Sequence, residues 1–172
     1  MYDCGFAEDA LEYYAKAVKA DPGWADVYFD MGVANHRLCR VDEAITSFEK
    51  AIELNPEFVS AYYLAGISYY HKGDSDKAIK YFNEVVRRDP KYAIAHYHLG
   101  RAYTKKNFVD QAISAFEAVI AVNPKDAETY YHLGFAYAKK GMNDSAIGAL
   151  QKALELNPDD ENVKSLLKGL MW

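Results

Sequence analysis

The sequence predicts an all-α chain, a right-handed α-solenoid of stacked helical hairpins, and three observations lead there. Pro22, Pro56, Pro90, Pro124 and Pro158 stand 34 residues apart along the 172-residue chain. Four windows between them carry one pattern in phase. They are Tyr28, Met31, Gly32, Asn35, Ala44, Phe48; Tyr62, Ala65, Gly66, Tyr69, Ala78, Phe82; His96, Leu99, Gly100, Tyr103, Ala112, Phe116; and Tyr130, Leu133, Gly134, Tyr137, Ala146, Leu150. Within each window the apolar residues recur at three- and four-residue steps in two blocks, the spacing of two amphipathic helices and not of a strand. A unit of this length buries its apolar face against its neighbours, so the chain has a sufficient core although each hairpin alone does not.

The elements follow in order. Residues 1–22 align Gly5, Ala10, Tyr14, Ala17 and Pro22 with Gly73, Ala78, Phe82, Val85 and Pro90. This front segment is expected to be a half repeat, a second helix without its first, either cut from a longer chain or serving as a lone opening helix. Full repeats are expected over 25–58, 59–92, 93–126 and 127–160. First helices start near Trp24, Phe58, Tyr92 and Asp126 and last about four turns; second helices cover 42–54, 76–88, 110–122 and 144–156. Residues 161–172 form a solvating last helix, with Val163, Leu167 and Leu170 docking inward and Lys164 and Lys168 keeping its far side wet.

Between the helices of a hairpin stand Gly73 and Gly141, with Asn107 at the same place. A chain leaving a helix takes positive φ there, which Gly and then Asn accept most readily. Cys39 occupies the first such position, so that turn is expected to be strained or differently shaped. Gly32, Gly66, Gly100 and Gly134 fall in mid-helix, where glycine costs nearly 1 kcal/mol against alanine. The small Ala44, Ala78, Ala112 and Ala146 are the expected partners that let the two backbones close up, with Phe48, Phe82, Phe116 and Leu150 filling the space between helices.

Composition narrows the function classes. With 20 basic against 25 acidic residues the net charge is −5, which argues against nucleic acid and anionic lipid as bulk partners. No apolar run approaches the roughly 18 residues of a membrane span, and no secretory leader pattern opens the chain. Cys4 and Cys39 have neither metal-ligand nor redox spacing, so a reducing, cytoplasmic setting is expected. His96 and His98 point to different faces of one helix, while His98 and His132 are expected on neighbouring first helices about 10 Å apart, too far to share an ion. No phosphate loop, nucleophile elbow or paired carboxylates appear, so no enzyme activity, cofactor or metal is expected.

The Tyr-x-x-Ala/Leu-Gly-x-x-Tyr, Ala-x-x-x-Phe and proline pattern at this period resembles the tetratricopeptide repeat family over nearly all of the chain. The resemblance implies that first helices line a concave groove in which a partner peptide lies. Carried onto this sequence, the inward positions are Phe29, Tyr63, Tyr97 and Tyr131; Asp30, Leu64, His98 and His132; Val33, Ile67, Arg101 and Phe135; and His36, Tyr70, Thr104 and Ala138. The candidate partner-binding residues are Phe29, Tyr63, Ile67, Tyr70, Tyr97, His98, Arg101, Tyr131, His132 and Phe135. Acid stands at the front of this face (Asp26, Asp30), with His98, Arg101, Lys105, His132 and Lys139 toward the back. The lysine and asparagine clamp by which chaperone-adaptor members hold a carboxylate is absent, as is the asparagine ladder of members attached to sugar transferases.

The expected function is therefore a non-catalytic scaffold or adaptor binding a peptide or partner protein, with an acidic segment favoured by Arg101 and its neighbours. Two other readings stay open. The array is the recruitment segment of a larger enzyme or sensor, or it is a self-assembling bacterial organelle scaffold. Leu11, Tyr14 and Val18 lack the helix that full repeats provide, so self-association through the front edge is expected.

Overall fold

The computed structural model describes residues 3–171, with side chains from Phe6 onward. Ten helices occupy the described residues: α1 Asp3–Ala20, α2 Ala25–Arg37, α3 Val41–Leu54, α4 Val59–Lys72, α5 Ser75–Arg88, α6 Ala93–Lys105, α7 Val109–Val122, α8 Ala127–Lys139, α9 Asn143–Leu156 and α10 Glu161–Leu170. They fall into two compact units, Met1–Pro90 and Lys91–Trp172. In the first unit α2 pairs with α3 and α4 with α5, and α1 lies against α2. In the second unit α6 pairs with α7 and α8 with α9, and α10 closes on α9.

Each hairpin closes by the same turn. Cys39, Gly73, Asn107 and Gly141 all take positive φ, at 57°, 89°, 61° and 79°. Their N–H groups bond the carbonyls of His36, Tyr70, Thr104 and Ala138. The next N–H in each case reaches back five residues, to Asn35, Tyr69, Tyr103 and Tyr137, which satisfies the helix-end carbonyls. Cys39 thus keeps the shared turn shape and carries its strain. At the proline exits, Asp21, Asn55 and Asn123 accept the N–H two residues on through their side chains, locking the chain into the turn that proline starts.

Two expectations are refined. What presses first on each mid-helix glycine is a large side chain, although at Gly134 the Ala146 carbonyl also stands 3.2 Å from where a Cβ would be. A Cβ on Gly32, Gly66 or Gly100 would stand 2.5, 2.7 and 2.5 Å from the rings of Phe48, Phe82 and Phe116, and one on Gly134 would stand 2.7 Å from Leu150 Cγ. The glycine is the floor under a large side chain from the second helix. Those side chains are fully buried, at 0% exposure. Gly5, aligned in sequence with the turn residue Gly73, lies inside α1, which runs on through it.

The repeated tyrosines tie neighbouring helices by their hydroxyls. Tyr69 of α4 and Tyr81 of α5 both donate to Glu49 of α3 at 2.7 Å. Tyr137 of α8 donates to Glu117 of α7 at 2.7 Å. Arg88, at the end of α5 with only 8% of its side chain exposed, donates through Nη2 to the Pro56 carbonyl at 2.7 Å and lies 4.2 Å over the ring of Tyr62. The last helix is held by Val163, buried against Leu150 and Ala153, while Lys164 and Lys168 stay exposed.

Candidate functional site

In the second unit the helical period puts Tyr97 and Arg101 four residues apart on one face of α6, and Glu128, His132 and Phe135 on one side of α8. Between the two helices Phe116 rises from α7. The imidazole of His132 stacks on Phe116 with centroids 5.5 Å apart and planes 11° from parallel. The Tyr97 ring meets Phe116 edge-on at 6.3 Å and His132 at 5.6 Å. Tyr131 tilts against His132 at 5.3 Å and His98 against Tyr97 at 5.5 Å.

Polar groups lock this aromatic pile. The Tyr97 hydroxyl donates to Glu128 Oε1 and lies 3.2 Å from His132 Nε2. A hydroxyl that gives its one proton to Glu128 accepts from His132, so the neutral imidazole carries its hydrogen on Nε2. Burial pushes the His132 pKa below the usual histidine range, against the upward pull of Glu128 and helped by the Arg101 charge. Burial, and then the hydrogen bond to Glu128, push the Tyr97 pKa up. Both shifts favour the uncharged ring. Arg101 lies 5.7 Å over Tyr97, and Lys139 lies 5.6 Å over Phe135 while donating to Asn107 Oδ1 at 3.2 Å. A cleft of about 300 Å³ opens beside the pile, lined by Ala93, Ile94, Tyr97, His98, Val119, Asn123, Asp126 and Glu128.

In the first unit the candidate residues pack as smaller groups. Phe29 stacks on Phe58 at 4.7 Å and Tyr63 meets Phe82 at 6.1 Å. Ile67 is only 8% exposed, so it contributes packing and almost no surface. Tyr70 stays half-buried beside His71, whose ring stacks at 5.8 Å on His36. Burial, then the neighbouring His71, lower the His36 pKa. Burial, then Asp26, raise that of Asp30.

The structure therefore brings Tyr97, His98, Arg101, Tyr131 and His132 into one group. Sequence reasoning missed Glu128 and Asp126 as parts of it. The signal was present, since Glu128 stands one turn before His132 on the same helix face. Among the described residues no three histidine, cysteine or carboxylate side chains gather as a metal site. No described helix is long and apolar enough to cross a membrane.

A family profile described as Tetratricopeptide repeat matches residues 2–57, 37–93 and 63–107, and a second of the same description matches 109–170. The chain belongs to the tetratricopeptide repeat family. Its architecture is the all-α solenoid of repeats of that family, whose members serve as protein-interaction modules. No curated protein sequence matches the chain. Among solved tetratricopeptide structures, a crystal structure of MamA is 30% identical, covering 90% of each chain with a TM-score of 0.86. YrrB, described as a TPR protein with an unusual peptide-binding site, is 27% identical over 95% of this chain and 84% of that one, with a TM-score of 0.88. MamA 41-end from Desulfovibrio magneticus RS-1 is 26% identical over 90% of this chain and 88% of that one, with a TM-score of 0.82.

Proposed function

We propose that this tetratricopeptide array is a non-catalytic scaffold that binds an extended peptide or partner segment on the first-helix faces. The observation that carries the reading is the pile of Tyr97, His132 and Phe116, flanked by Arg101. Rings already packed against one another lose little freedom when a partner covers them, and an arginine at their edge adds direction, which is the make-up of an interface hot spot. The peptide-binding site named for YrrB supports the same reading by likeness. Arg101, Lys105 and Lys139 favour a partner with an acidic residue at that end of α6 and α8. We further propose self-association through α1, where Phe6 and Tyr13 are 78% and 70% exposed.

The test is co-purification from cell extract with the parent chain and three variants. Arg101→Glu and Phe135→Ala should each weaken capture of the first partner found. Lys152→Glu, an equal charge reversal on the exposed side of α9, should leave it unchanged. Capture lost with Lys152→Glu and kept in both others would place the function on the second helices.

A further inference from the structure

The cleft beside Tyr97 has a chemistry that an acidic partner does not use. Its lining has an aliphatic part, half-exposed Ile94 with Ala93 at the start of α6 over the nearly covered Val119 of α7. The same lining carries two carboxylates, Asp126 and Glu128, together with Asn123, Tyr97 and His98. At about 300 Å³ it holds the liquid volume of about ten waters, enough for one long side chain and at the small end of ligand sites. Asp126 is held in place as the cap of α8, its Oδ2 accepting the Thr129 hydroxyl at 2.8 Å. Glu128 is oriented by the Tyr97 hydroxyl yet keeps 68% of its side chain exposed.

We propose that this cleft receives a lysine or arginine side chain of the bound segment, its methylene stem on Ala93 and Ile94 and its cation at Glu128 and Asp126. This rests on the peptide-binding reading above and adds the residue class selected there. A glutamate would meet two like charges in the lining, and a leucine would leave the carboxylates facing its apolar end; a long stem ending in a cation satisfies both parts. The acidic preference of Arg101 then belongs to another part of the same segment. From Ile94 to Arg101 the helix rises about 10 Å, a span that about three extended residues cover. The partner sequence is thus bipolar, with a base and an acid about three residues apart.

Two probes test this on the full chain. Methyl-detected NMR titration with n-butylammonium should shift Ile94 and Val119, and n-butanol and n-butyrate should shift them less. Glu128→Gln with Asp126→Asn keeps the hydroxyl acceptor and the helix cap, because asparagine caps as well as aspartate, and should weaken the ammonium response about fivefold. Absence of shifts with n-butylammonium, equal shifts with n-butanol, larger shifts with n-butyrate, or an unchanged response in the double variant overturns the proposal. A random heptapeptide phage library separates this inference from the reading beneath it. Enriched peptides that move no first-helix resonance, in α2, α4, α6 or α8, sink the peptide-binding reading, and this inference with it. Enriched peptides that move first-helix resonances without favouring lysine or arginine, or that move those of α2 and α4 alone, sink this inference alone.

Discussion

The ring of Phe116 occupies the space in which Gly100 would carry a side chain, since a Cβ there would stand 2.5 Å from Phe116 Cε1. A fully buried ring between two helices cannot yield without losing its own contacts, so Gly100→Leu should cost about 1–3 kcal/mol or more. Gly148 of α9 has nothing within 4 Å of such a Cβ, and Gly148→Ala should instead stabilise by up to about 1 kcal/mol. Denaturant melts of the two variants should move in opposite directions. Equal midpoints would remove the ring as the reason for the glycine.

Cys39 holds the turn conformation that Gly73 and Gly141 hold, at a φ of 57°. A side chain in that region costs about 1 kcal/mol. Cys39→Gly should therefore raise the melting midpoint, reduced in part by the greater freedom glycine gives the unfolded chain, while Gly73→Ala should lower it. A loss of stability in Cys39→Gly would mean that the thiol is held by contacts that outweigh the strain.

The helix pattern was legible because the period fixes the pairing of every apolar residue. Second helices begin one residue before the expected Asp42, Asp76, Asp110 and Asp144, at Val41, Ser75, Val109 and Asn143, since the reversed turn delivers the chain directly into helix. The site was legible only on one helix at a time. Tyr97 and His132 come from two neighbouring inward stripes, and their shared hydrogen-bond cluster with Glu128 depends on rotamers that spacing does not encode. Ile67 belongs to the same face by spacing, yet its neighbours leave it nearly covered.

Acid should loosen the protein before its carboxylates titrate. His36 and His132 have folded pKa values below that of the unfolded chain, about 6.5. Between the two values the unfolded state holds more protons, so stability is complete above about pH 6.5 and falls as pH drops toward the folded values. The denaturant midpoint should be lower at about pH 5.5 than at about pH 7.5. His132→Phe keeps the stack on Phe116 and should shrink that difference; an undiminished difference would assign it to other groups.

Phe6 and Tyr13 of α1 are largely exposed, Phe6 at the edge of a cleft that the more covered Tyr14 lines with Asp30, Val33 and Arg37. The apolar edge is therefore carried by residues other than Leu11, Tyr14 and Val18, which are half-buried. Sedimentation should show mass rising with concentration, and Phe6→Ser with Tyr13→Ser should abolish the rise. A constant monomer mass for the parent would rule this edge out as a contact.

Arg88 bears on how the first unit comes apart. Its guanidinium reaches from the end of α5 to the carbonyl of Pro56 in the junction between α3 and α4. The equivalent positions hold Leu54, Val122 and Leu156, which have no such reach. In a one-dimensional array the coupling between neighbours decides whether units open singly or together. This link ties the opening of one hairpin to the release of the connection before it. The hairpins α2–α3 and α4–α5 should accordingly exchange their amide hydrogens as one cooperative block, and fraying that starts at α1 should halt there.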